Sequence, residues 1–279
     1  MTADRTFRLL VGLAVLAAAA PLVLAYRLLP CAEMAGVALH AVGAACRLLG
    51  EAGIANPLPV GIGLAILTIL AFAMGAACLS RTIVAARQID GCLSRCPAPE
   101  ACTVLACLAA RVGSAAQLRL VPSARPRAFC AGLWRPGVFL STGLLSLLGE
   151  QELEAVVRHE EHHVARRDPL RMAVARALAG ALFYLPVLRD LEAHFLAAKE
   201  VEADRTVVAA MGTRDALASA LLALVGQRDP RPAGVAGFDT VSIRIDALAS
   251  GAYPPLRLSP LRMGLSAMAV LAVVCLLLG

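Results

Sequence analysis

The sequence has almost no lysine: Lys199 is the only one, and the other 25 of its 26 basic residues are arginine. It is also poor in aromatic residues, at 4%, and in charge of either sign, at 16% over 279 residues. Ordinary soluble domains carry about 25% charged residues. With few aromatics and no clustered basic stripe, the +6 net charge does not support direct nucleic-acid binding. The shortage of charge and the 59% hydrophobic content argue against disorder. No CxxC pair occurs among the nine cysteines. Cys92, Cys96, Cys102 and Cys107 cluster, but their spacing does not match a zinc finger, so they read as reduced, structural thiols. No internal repeat is visible.

Long apolar runs are plentiful. Residues 9–26 and 52–80 contain no charge, and residues 263–279 form a shorter third run. Runs of about 20 apolar residues are long enough to cross a bilayer. The first run exceeds a signal-peptide core and is followed by Arg27 rather than small residues, so it reads as an anchor. Residues 31–49 carry Glu33, His40 and Arg47 and read as an amphipathic helix. The expected organisation has a first transmembrane helix with the N-terminus (1–29) and an amphipathic loop (30–57). A second transmembrane helix (58–80), a large domain (81–261) and a C-terminal transmembrane helix (262–279) follow. Arginines before the first span and after the second predict a multi-pass protein of the inner cell membrane. The lipid bilayer is then a partner, and the 81–261 domain faces the cytoplasm.

Inside that domain, residues 117–122, 128–134 and 137–141 read as strands. From Gly149 the period changes: Leu153, Val156 and Val157 predict a helix over 150–167. Asp168-Pro169 ends it or starts the next. Helices are expected over 170–188, 189–211, 214–226 and about 239–249, with a loop from Asp229 to Gly237. A small sheet followed by packed helices is an α+β pattern.

The 150–167 helix contains His159-Glu160-Glu161-His162-His163. Histidines four apart project from one helical face and can share one zinc ion, so His159 and His163 are candidate ligands. Glu160 lies beside them and can move a proton between water and a leaving amine. Glu200 and Asp204 share a face of the next charged helix. Glu200 can be the third ligand, and Asp204 can accept the free ring N–H of a ligand histidine. His194 is a substitute third ligand and His162 a substitute for His163. Glu161, His162 and Glu202 otherwise read as exposed charges. Tyr184, His194 and Arg205 are candidates to stabilise a transition state, and none is assigned that role.

Several motifs resemble one family. They are Pro126 to Pro136, Leu153 to Val157, His159-Glu160-x-x-His163, Arg166-Arg167-Asp168 and Glu200-x-x-Ala203-Asp204. Together they are similar to the BlaR/MecR-type membrane zinc metallopeptidases, gluzincins related to the HtpX and CAAX-protease group. The resemblance covers about residues 115–210. It implies a membrane-anchored α+β fold: a mainly helical zincin-like metallopeptidase domain with a small β-sheet and about three transmembrane helices. It implies a zinc endopeptidase with His159, His163 and Glu200 on Zn2+, Glu160 as general base and Asp204 holding a ligand histidine. It also implies that an edge strand, here 128–134, holds a protein or peptide substrate as an added strand. The leading expectation is a signalling protease that cleaves a winged-helix transcriptional repressor. The alternatives are an HtpX-like quality-control protease and a non-catalytic zinc-binding signalling protein. Lys199 has Leu196 three positions before it, so it belongs to no Ser-x-x-Lys acylation motif. Direct β-lactam sensing by this chain is not expected.

Overall fold

The computed structural model describes residues 1–27, 69–71, 73–84, 87–88, 91, 103–113, 118–226 and 236–278. Its labelled helices are α1 (Ala3–Arg27), α2 (Thr103–Val112), α3 (Thr142–Leu147), α4 (Glu150–Ala165), α5 (Asp168–Ala181), α6 (Val187–Met211), α7 (Asp215–Gly226), α8 (Ala236–Ser250) and α9 (Pro260–Leu278). The strands are β1 (Leu118–Val121), β2 (Ala128–Ala131) and β3 (Gly137–Ser141). Residues 73–84 are also helical. The expected amphipathic loop at 30–57 and three of the clustered cysteines (Cys92, Cys96 and Cys102) lie outside the described residues, as does most of the 229–237 loop.

The chain divides into two compact units. The first holds residues 1–5, 80–174 and 193–256. Its sheet has the order β1-β3-β2, with β3 parallel to β1 and antiparallel to β2. All five residues of β3 are buried, as a central strand covered on both faces requires. Its apolar run Gly137-Val138-Phe139-Leu140 therefore shows no alternation. β2 is an edge strand, shorter than the expected 128–134 because Gly132 turns the chain at φ 106°. A Cβ there would lie 2.6 Å from the Arg135 carbonyl oxygen. Ser141 ends the central strand and caps α3, its Oγ accepting from Leu144 N at 3.1 Å.

α4 begins where the Gly149 N–H donates to Glu152 Oε2 at 2.9 Å. Its apolar positions Leu153, Val156 and Val157 join Leu118, Val138 and Leu140 of the sheet in one core. Ala155 packs with Val207 and Leu217 in a second cluster, which ties α4 to α6 and α7. Arg167 leaves α4 in the left-handed region at φ 51°. For a residue with a side chain this costs roughly 1–2 kcal/mol. Arg167 stands between α4 and α5, which starts at Asp168.

The second unit holds residues 6–79, 175–192 and 257–279. Thr6, Leu10 and Ala14 of α1 are buried at helical spacing. Gly75 sits against Ala181, whose Cβ would be 3.0 Å from an added Cβ. Ser266 of α9 accepts a hydrogen bond from Val187 N at 3.1 Å, and Asp190 pairs with Arg262 and accepts from Ser259 N at 3.0 Å.

Among the described residues no helix is long and apolar enough to cross a membrane. This overturns the expected membrane-anchored fold with its three transmembrane helices, of which residues 58–68 of the second lie outside the described residues. What stands, among the described residues, is a mainly helical chain with one three-stranded sheet. The physical reason is that an apolar run does not reveal what its apolar face meets. α1 opens with Asp4, Arg5 and Arg8 and buries Thr6, Leu10 and Ala14 as a packing stripe. α9 carries Arg262 in an ion pair and a buried Ser266.

Candidate metal centre

The site lies wholly in the first unit, in a cavity of about 340 Å³. α4 supplies His159 and His163, both 5% exposed. One helical turn brings their Nε2 atoms to 3.2 Å from each other. α6 supplies Glu200, whose Oε2 is 3.3 Å from His159 Nε2 and whose Oε1 is 3.6 Å from His163 Nε2. The three donor atoms all lie within 4.8 Å of one another.

The other ring nitrogens are held by carboxylates. His159 Nδ1 is 2.9 Å from Asp204 Oδ1, and His163 Nδ1 is 2.7 Å from Asp168 Oδ2. A carboxylate can only accept, so each Nδ1 carries the proton and donates it. In the neutral rings both Nε2 atoms then present lone pairs, to each other and to Glu200. Such a set is repulsive unless a cation lies between its members. In the metal-free chain a proton takes that part. Burial opposes charge on His163, yet the Asp168 and Glu200 carboxylates outweigh it and push its pKa up to about 9. Burial likewise works to neutralise Glu200, but its histidine neighbours His159 and His163 and the Lys199 ammonium hold it well below the usual carboxylate range.

Around this group lies a shell of charge that the sequence did not reveal. Asp168, 2% exposed, is read in the sequence as a helix boundary and as part of the Arg166-Arg167-Asp168 motif, with no role at the site. Its Oδ1 accepts from Arg171 at 3.2 Å, and Arg171 donates to Asp4 at 2.6 Å. Arg244 of α8 grips Asp204 with two bonds of 2.7 and 2.8 Å and lies 3.6 Å from Glu200 Oε2. Burial makes Asp204 harder to charge, but hydrogen bonds from His159 and Arg244 lower its pKa. No local pattern marks an arginine 40 positions after the carboxylate it holds. The nearest signal for Asp168 is its place five residues beyond His163, three residues past the end of α4.

The remaining candidates separate clearly. Glu160 is half-buried and lines the cavity together with Cys130, Lys199 and Arg244. The Ala128–Cys130 segment of edge strand β2 lines it too. His194 is buried elsewhere, its Nε2 3.3 Å from the Met1 carbonyl oxygen, and is not among the three converging residues. His162, Glu161 and Glu202 are half-buried rather than exposed. His162 Nδ1 meets Thr206 Oγ1 at 3.0 Å, and Glu202 accepts from Ala3 N at 2.8 Å. Arg205 stacks on Tyr253 at 4.2 Å, and Tyr184 belongs to the second unit.

A helix-borne histidine pair and a carboxylate from a later helix, converging on one point in a cavity beside an edge strand, make a site that can hold a metal ion. The chain belongs to the BlaR1 peptidase M56 family, whose model matches residues 10–244. It is therefore a member of a protease family. It is similar to the protease HtpX homolog of Acaryochloris marina, 35% identical over 147 residues, which is 52% of this chain and 48% of that protein. The protease HtpX homologs of Thermococcus kodakarensis and Pyrococcus abyssi are 38% and 39% identical over 91 and 92 residues. Each of those matches covers 32% of this chain, and 31% and 32% of the relative respectively. The matched segments thus span half or less of the length of these relatives.

Proposed function

We propose that this chain is a zinc-dependent endopeptidase in which His159, His163 and Glu200 hold the ion. The observation that carries the proposal is the confrontation of three lone-pair donors. Zinc bound tetrahedrally at about 2.0–2.1 Å separates its donors by about 3.3–3.4 Å. The two Nε2 atoms lie 3.2 Å apart and Glu200 Oε2 lies 3.3 Å from His159 Nε2, close to that spacing, with all three donors within 4.8 Å of one another. Two imidazoles and one carboxylate are also the donor types of catalytic zinc sites.

When bound, the zinc ion would polarise the scissile carbonyl and leave a fourth position open to water. Glu160 takes a proton from the attacking water and passes it to the leaving amine nitrogen. Asp204 holds the tautomer and orientation of His159, and Asp168 does the same for His163. The substrate is a protein segment that adds as a strand to the free edge of β2 beside the cavity, held by main-chain hydrogen bonds. A signalling role, with a winged-helix repressor as substrate, follows from the BlaR/MecR-type motifs. The resemblance to proteases named HtpX favours a second reading, cleavage of damaged proteins without sequence preference.

The test is metal content and cleavage in the parent, Glu160→Gln and Glu200→Ala. About one zinc per chain is expected in the parent and in Glu160→Gln, and little in Glu200→Ala. Only the parent should cleave an unfolded test protein. Zinc-free parent protein, or full zinc in Glu200→Ala, defeats the ligand set. Cleavage of a purified winged-helix repressor at one bond supports signalling, and cleavage of many unfolded proteins supports the second reading.

A further inference from the structure

The single lysine of the chain stands next to Glu200. Lys199 is 8% exposed, lines the cavity, and donates from Nζ to Glu200 Oε1 at 2.5 Å. The other oxygen, Oε2, is the one nearest His159 Nε2. Twenty-five other basic positions carry arginine, so lysine here is a local departure from the chain's own habit.

The two side chains differ in how they hold a carboxylate. An arginine fork takes both oxygens at once through two parallel N–H bonds. A lysine ammonium is a compact point charge and can occupy one oxygen alone. Bonded as observed, Lys199 engages Oε1, which lies 3.6 Å from His163 Nε2, and leaves Oε2 unclaimed beside His159 Nε2 at 3.3 Å. Arg244, at 3.6 Å from Oε2, is committed to Asp204 through its two shorter bonds. Neither cation therefore withdraws Oε2 from the metal.

We infer that Lys199 is a positioning residue: by occupying Glu200 Oε1 it makes Glu200 a one-oxygen ligand and keeps a coordination position open for water or substrate. The inference rests on the zinc reading above. It implies opposite consequences for two substitutions. Arginine at 199 would take both oxygens and compete with the metal for Glu200. Methionine at 199, of similar length and without charge, would release Oε1, so that both oxygens bind and the open position closes.

The test uses the full chain loaded with cobalt(II), whose visible absorption is strong in four-coordinate sites and weak in five-coordinate ones. Affinity is measured by competition with a chelator, and folding is checked by circular dichroism. The parent should give the strong four-coordinate spectrum. Lys199→Arg should bind cobalt at least about tenfold more weakly, the scale of losses seen when a group that orients a metal ligand is changed. Lys199→Met should keep the metal but lose absorption intensity, with cleavage falling while metal content stays full. A lysine that only fills space predicts a Lys199→Met spectrum identical to the parent, and that result in a folded variant overturns the inference. If Lys199→Met fails to fold, Lys199→Arg decides alone: parent-like affinity overturns it. A folded parent that takes up no cobalt overturns the zinc reading together with this one. A parent that binds cobalt beside two unchanged variants overturns only the role of Lys199.

Discussion

Asp168 accepts a hydrogen bond from His163 Nδ1 at 2.7 Å, although the two residues lie on different helices. The two helices are joined through Arg166 and the left-handed Arg167. The site thus holds the Nδ1 atom of both histidines, with Asp204 on one ring and Asp168 on the other.

Removing Asp168 should therefore cost metal affinity without removing a ligand. Asp168→Ala is expected to weaken zinc binding about 10–100-fold, as for other groups that orient a ligand histidine. Competition against a zinc chelator measures it. Affinity equal to the parent would show that α4 alone orients His163.

Arg244 is the counter-charge of Asp204, which is 1% exposed. Arg244→Met leaves that carboxylate buried without its cation. Breaking a buried pair in this way costs about 3–5 kcal/mol. The loss should appear as a lower denaturation midpoint. The double variant Arg244→Met, Asp204→Asn should recover part of it, since no unpaired charge then remains.

Metal-free protein should lose stability as the solution becomes basic. His163 is raised to about 9, mainly by Asp168 and Glu200 against the opposing effect of burial. Its contribution is fully present below its unfolded value of about 6.5 and is lost as pH rises through about 9. Asp168, Glu200 and Asp204 are lowered despite burial, so their contribution is present above about pH 4 and is lost as pH falls through their folded values. From these groups the metal-free melting temperature should be highest between about pH 4 and 6.5. Zinc must displace the His163 proton, so the gain in melting temperature on adding zinc should grow from pH 6.5 to 9. Melting curves at pH 5, 7 and 9 with and without zinc check both signs.

Gly132 ends the edge strand at φ 106°, where any side chain is strained, and an added Cβ would meet the Arg135 carbonyl oxygen. Gly132→Ala is expected to destabilise the chain by roughly 1–3 kcal/mol. If β2 receives the substrate, the variant should also raise KM more than it lowers zinc content. Chemical denaturation and peptide kinetics at saturating zinc separate the two effects.

The metal-ligand candidates were legible because a helix repeats every 3.6 residues. His159 and His163 must share a face, and so must Glu200 and Asp204, whatever surrounds them. The run Gly137–Ser141 was legible as a strand for a similarly local reason, as was the change of period at Gly149. Partners brought by other elements were hidden. Asp168 reaches His163 from the start of the next helix, beyond the left-handed Arg167, and Arg244 reaches Asp204 from a helix 40 residues away. Lys199 was visible as the chain's only lysine, but that it bonds a single oxygen of Glu200 was not. The apolar runs misled for a related reason. Hydropathy measures what a segment avoids, water, and does not say what it meets. Local periodicity thus determined which side chains could stand together on each helix. Tertiary packing, through turns and long-range charge pairs with no signature in nearby sequence, decided which carboxylates and cations surround them.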